Sequence, residues 1–259
     1  MTYTIHRSIE FLRYQQKAQT KYYIHSPFVY QFYLNILEGN AANHLQNITI
    51  LRKRLLQTYD KILINDMGAA AGPKEKMISS LAASASVPEK YGKVLFKLVR
   101  YFSPHTIIEL GTCLGVGTAY LASARPSAKI ITIEGSRELS NIAGVNFKEL
   151  KFNNIEQEIG NFNEKLPEVL AGINAVEMAF IDGNHRYQPT LNYFNLLMEK
   201  ANENTILVFD DIYWSPEMTR AWTEIKKDPR ITLTIDIYRF GIAFMHREKL
   251  AKEDFVLRY

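Results

Sequence analysis

Four acidic residues, Glu134, Asp182, Asp210 and Asp211, each follow an apolar run that reads as a β-strand, and His185 stands on the loop that begins at Asp182. In open α/β sheets, ligands bind beyond the carboxyl ends of the strands, so acids placed there can meet a ligand. If the strands ending at Asp182 and Asp210 are neighbours, their ends lie about 5 Å apart. Carboxylates that close repel one another unless protons or a cation compensate them. A hard divalent cation with oxygen ligands, most simply magnesium, suits Asp182, Asp210 and Asp211. Acids also end strands as helix caps and turn formers, and that reading stays open beside the metal. His185, with a near-neutral pKa, can remove a proton from a substrate, which makes His185 and Asp182 the candidate catalytic pair. A histidine that merely orders its loop is the alternative.

A second constellation lies upstream. Residues 106–110 form a short β-branched run bounded by Pro104 and Gly111, which suits a strand buried on both faces. Gly111, Gly115 and Gly117 then permit a tight turn and close backbone approach, and residues 118–124 continue as a helix whose first amides point at a bound anion or polar group. The next strand, 129–133, delivers Glu134 about 20 residues beyond the glycines, where dinucleotide folds place the acid that receives a ribose diol. A nucleotide-type cofactor follows from that combination.

The glycine spacing is G-x-x-x-G-x-G, and Glu109-Leu110-Gly111-Thr112 with Gly115 resembles the first motif of the class I S-adenosylmethionine-dependent methyltransferases. The likeness covers roughly residues 86–259 and runs closest to O-methyltransferases of the catechol type and their antibiotic- and sugar-modifying relatives. The chain also resembles a bacterial group of methyltransferase-like proteins that carry an HSPF segment near the N-terminus, here His25-Ser26-Pro27-Phe28. The resemblance implies that S-adenosylmethionine is held by Glu109, Gly111, Thr112, Gly115, Glu134, Gly135, Ser136, Asn161 and Asp182, with Glu134 on the ribose and Asn161 at the adenine. It implies a methyl group passed to an oxygen of a small molecule. Catechol-type relatives place Asp after the fourth strand and Asp-Asn after the fifth as metal ligands. Asp211 departs from that pattern, so a metal-free mechanism based on His185 stays open.

With 47% hydrophobic and 22% charged residues, the 259-residue chain is expected to fold as an enzyme-sized unit. A net charge of +4, spread along the chain, argues against nucleic acid as a partner. The one cysteine, Cys113, excludes an internal disulfide. With no early apolar run and no stretch long enough to span a bilayer, the expected setting is the cytoplasm, away from membranes, and a homodimer is compatible with the composition. Residues 1–60 have helical spacing and many aromatics. Residues 1–85 are therefore expected to form a helical cap with a connecting loop at 60–72, and 86–259 the cofactor-binding core.

Within that core, alternating strands and helices, ending in two strands joined by Arg239 and Phe240, predict a Rossmann-like, doubly wound α/β fold. The expected sheet has seven mostly parallel strands and a C-terminal antiparallel hairpin. Other functions remain open. A nucleic-acid or protein methyltransferase would use the basic, aromatic N-terminal segment; an oxidoreductase using a dinucleotide would keep the glycine turn; a cofactor-binding protein without catalysis would need no acidic cluster.

Overall fold

The structure, a computed structural model, describes residues 3–40, 45–66, 72–245 and 251–259. Contacts group the chain into two compact units, Gly39–Val169 and Met1–Glu38 with Leu170–Tyr259. The segment expected as a cap is thus shared between them.

In the unit 39–169, α3 (Gln46–Leu56) leads to β1 (Lys61–Asp66) and β2 (Gly72–Met77), an antiparallel pair in which Lys61 is opposite Met77. Residues 60–72 were expected to be a loop. Instead Ile62–Ile64 belongs to a strand whose partner is the Lys- and Glu-bearing β2, and Lys61 meets Glu75 at 2.8 Å across the pair. Most of the small-residue stretch, 67–71, lies outside the described residues. α4 (Ile78–Ser84) and α5 (Glu89–Phe102) follow. α5 packs closely on α6 (Val116–Ala124), because a Cβ at Gly92 would come within 2.2 Å of the Tyr120 ring. Three parallel strands, β3 (Thr106–Leu110), β4 (Lys129–Glu134) and β5 (Ile155–Ile159), alternate with α6 and α7 (Arg137–Glu149). Ile107, Ile108 and Leu110 are fully buried, as a central parallel strand requires. Ser136 caps α7 by accepting the Leu139 N–H, and α8 (Phe162–Ala171) closes this stretch.

The other unit begins with α1 (Tyr3–Lys17) and α2 (Pro27–Phe32), which runs into a π-helical turn at Tyr33–Leu37. Its strands are β6 (Val176–Ile181), β7 (Ala201–Phe209), β8 (Leu233–Asp236), β9 (Gly241–Phe244) and β10 (Glu253–Val256), with α9 (Tyr187–Glu199) and α10 (Pro216–Lys227) between them. β6 and β7 are parallel, β9 is antiparallel to both β7 and β8, and β10 runs parallel to β8. Ser215 caps α10 and Pro216 takes its first position, as the sequence predicts. The core here includes the fully buried Phe209, Phe240 and Phe244 with Trp222 beside them.

Among the described residues, β3 to β10 are the eight strands of one mostly parallel sheet, one more than expected. The addition is β10, which is short and joins the edge through backbone bonds from Glu253 to Thr232 and from Leu257 to Asp236. Its far end is tied to the N-terminal segment: the Tyr14 hydroxyl donates to the Leu257 carbonyl at 2.6 Å, and Gln19 exchanges backbone bonds with Val256 and Arg258. The hairpin also differs from expectation. Asp236 pairs with Gly241, which leaves residues 237–240 as the connection, with Tyr238 in the left-handed region at φ 70°. No helix among the described residues is long and apolar enough to cross a membrane.

Candidate active site

The glycine turn follows β3. Gly115 adopts φ 79°, and a Cβ there would lie 2.5 Å from the Phe147 ring, so only glycine fits. Gly115 precedes the first residue of α6, whose opening amides have no partners within the helix. Glu134, at the end of β4, reaches back to this turn: Oε2 accepts the Cys113 N–H at 2.8 Å, while Oε1 accepts the Ser136 N–H at 2.9 Å. The two bonds fix the carboxylate plane beside the turn. An ionised carboxylate offers about four acceptor positions, so this orientation suits a diol.

Glu109 and Thr112 face inward instead. Glu109 is fully buried, and its Oε2 accepts the Thr118 hydroxyl at 2.5 Å and the Thr132 hydroxyl at 2.6 Å; Thr112 and Thr132 share a 2.6 Å hydroxyl bond. These bonds join β3, β4 and α6 and set the shape of the turn. Ser136 is buried as the cap of α7, with Gly135 before it. Asn161 precedes α8, and its Oδ1 accepts the Asn163 N–H at 2.9 Å.

Asp182, Asp210 and Asp211 lie together within their own unit. Ile181 pairs with Phe209 in the parallel ladder of β6 and β7, so Asp182 and Asp210 leave adjacent strand ends. Asp210 is fully buried. The Arg239 guanidinium holds it in a two-pronged bond, Nε to Oδ1 at 2.7 Å and Nη2 to Oδ2 at 2.6 Å, and Nη1 stands 3.5 Å from Asp211 Oδ1. Burial and Asp182 raise the Asp210 pKa above the usual carboxylate range, with Arg239 opposing. Asp211 is also raised, by burial and Asp210, against Arg239, His185 and Arg7.

His185 Nε2 lies 3.3 Å from Asp182 Oδ1 and keeps 27% of its side-chain surface exposed. Burial disfavours the charged ring, but the bond to Asp182 and the charges of Asp182, Asp211 and Asp210 outweigh it and push the pKa up to about 9. The loop is conformationally costly: Asn184 (φ 64°) and His185 (φ 33°) both have positive φ, as does Asp211 (φ 51°). With Cys113 and Tyr238, these make five of the seven non-glycine residues with positive φ among those described. Strain collects at these loops, a pattern found at functional sites.

Arg239 escaped the reading of the sequence. A signal existed, because β9 runs antiparallel to β7 with Gly241 opposite Phe209, which places the turn before Gly241 level with Asp210. Asp210 spends three acceptor positions within the protein: one on each oxygen takes Arg239, and Oδ1 also accepts the Asp211 N–H at 2.7 Å. Among the described residues, no three His, Cys, Asp or Glu side chains are gathered to hold a metal ion. As arranged, Asp182, Asp210 and Asp211 do not fit magnesium.

The aromatic residues divide by role. Trp222 and Met218 are buried, Trp222 against Phe209, and Tyr213 donates its hydroxyl to buried Asp236. Trp214 is 39% exposed, with the Arg7 guanidinium 4.7 Å above its ring. α1 therefore supplies a cation beside the acidic loop. In the HSPF segment Pro27 opens α2, Phe28 packs edge-on against Phe244 at 5.3 Å, and His25 is exposed.

Residues 108–212, which run from β3 past Asp210 and Asp211, match the family profile described as a methyltransferase domain. A catechol O-methyltransferase of Niastella koreensis is 27% identical over 130 residues, covering 49% of this chain and 58% of that one. An uncharacterized protein of Acanthamoeba polyphaga mimivirus is 30% identical over 138 residues, covering 48% and 60%. The chain thus spans about three fifths of the length of these two relatives. The crystal structure of an O-methyltransferase from Bacillus cereus in complex with S-adenosylhomocysteine aligns at a TM-score of 0.57 and 18% identity, over 83% of this chain and 96% of that one. At 18% identity this likeness is one of fold, the mostly parallel sheet β3 to β10 with its flanking helices.

Proposed function

We propose that this protein transfers the methyl group of S-adenosylmethionine to an oxygen of a small molecule. The observation that carries the proposal is Glu134, clasped by the Cys113 and Ser136 amides next to a turn where only glycine fits at position 115. That geometry suits a ribose diol and a ligand lying close to the backbone. Glu134 would take the ribose hydroxyls, Gly111 and Gly115 would allow the close approach, and Asn161 would meet the adenine. S-adenosylmethionine, when bound, supplies an electrophilic methyl on a sulfonium.

The chain's own contribution is alignment and proton removal. His185 accepts the proton of the acceptor hydroxyl, and Asp182 holds the ring in place. Because Asp182 also favours the charged ring, His185 acts in its neutral fraction, which grows toward pH 9. Trp214, exposed in the loop after Asp211 and faced by Arg7, would wall the acceptor. With its single cysteine, Cys113, the chain depends on no disulfide, and we place it in the cytoplasm.

The test is a panel of phenolic and hydroxylated small molecules, with RNA and protein fractions beside them, followed by S-adenosylhomocysteine release. Turnover with a small hydroxyl compound is expected. Methylation of RNA or protein alone would overturn the acceptor class.

A further inference from the structure

We propose that Arg239 takes the place of a divalent cation at the acidic strand ends, so that this site works without a metal. The electrostatic need is plain. Asp182, Asp210 and Asp211 leave adjacent loops, and Asp210 is fully buried, so its charge is costly without a partner. A hard cation would meet that need through carboxylate oxygens. Here the oxygens of Asp210 already accept two parallel N–H bonds, 2.7 and 2.6 Å, from a guanidinium that stays charged at any working pH. The same cation's third nitrogen is 3.5 Å from Asp211.

This is a built arrangement rather than a chance surface pair. The Arg239 N–H bonds to the Ile237 carbonyl at 3.0 Å, and the Arg239 carbonyl accepts the Ile212 N–H at 3.3 Å, which ties the turn to the loop just after Asp211. Asp236 accepts the Tyr238 N–H at 2.8 Å and so holds the left-handed residue before Arg239. Backbone and side chain together aim the guanidinium at Asp210. Removing a two-pronged partner of a fully buried carboxylate leaves a charge that a metal can then satisfy. Arg239 is thus a positioning residue: it fixes Asp210, and through Asp210 the loop of Asp211 that accompanies the proposed acceptor site. The inference deepens the methyl-transfer reading, yet cation binding is read without turnover, so the two fail separately.

The test is titration of the full chain with Mn²⁺, following the free-ion electron paramagnetic resonance signal. The wild-type chain is expected to bind no Mn²⁺ with a Kd below about 1 mM, the weak end of oxygen-ligand cation sites. Arg239→Met is expected to acquire one Mn²⁺ per chain below that limit, and Arg239→Met with Asp210→Asn to lose it. One Mn²⁺ bound tightly by the wild type and lost in Asp210→Asn would overturn the proposal. So would a folded Arg239→Met chain, judged by circular dichroism, that binds none. If Arg239→Met does not fold, the wild-type titration with its Asp210→Asn control decides.

Discussion

His185 and Asp182 form a pair across a two-residue loop, with Nε2 and Oδ1 at 3.3 Å and the histidine backbone at φ 33°. The partnership has a consequence for pH. Asp182 and its acidic neighbours push the histidine pKa up to about 9 against the effect of burial, so the ring is charged at neutral pH and becomes a base only as pH rises. Turnover per unit substrate, kcat/KM, should therefore climb between pH 7 and 9. Asp182→Asn should move the inflection to lower pH by removing the main charge partner. His185→Ala should abolish the inflection and cost about 10²- to 10⁴-fold in rate. A wild-type profile flat from pH 7 to 10 would remove His185 from the role of base.

Gly115→Ala tests the turn. The new Cβ would meet Phe147 at 2.5 Å and the residue would be held at φ 79°. Left-handed backbone costs a non-glycine residue about 1–2 kcal/mol, and overpacking adds about 1–3 kcal/mol. A loss of about 2–5 kcal/mol in urea unfolding is expected. A loss under about 0.5 kcal/mol would mean that the turn tolerates a side chain.

Lys97 offers a pH test of stability. It is 7% exposed, donates to the Gly39 carbonyl at 3.1 Å, and burial with help from Lys93 lowers its pKa from 10.5 to about 8. The unfolded chain then holds the proton more tightly than the folded one, so this residue costs stability below pH 8, and the cost fades as pH rises to 10.5. Lys97→Met should stabilise the protein by up to about 3 kcal/mol at pH 7, and the advantage should shrink as pH approaches 10. Equal differences at both values would contradict the burial effect.

Several strands and helix caps were readable because their causes are local. β3 and β6 are short, mostly apolar runs bounded by Gly or polar residues, and Ser136 and Ser215 announce their helices through their hydroxyls. The acids at the ends of β6 and β7 were equally legible, since parallel strands place such residues by register. What escaped depends on distant partners. The ion pair of Arg239 with Asp210 joins residues far apart in sequence and needs the left-handed turn at Tyr238. β10 has few apolar residues and exists as a strand because β8 and the Gln19 backbone supply its bonds. β1 and β2 likewise owe their form to each other.

The central claim is that Glu134 and the glycine turn hold an S-adenosyl cofactor. Isothermal calorimetry of the full chain with S-adenosylhomocysteine tests it most directly. One molecule is expected to bind per chain, and Glu134→Ala is expected to lose about 1–3 kcal/mol, or about five- to 150-fold in Kd, as charge-assisted bonds to the ribose are lost. Tight binding of NAD with no heat from S-adenosylhomocysteine would contradict it.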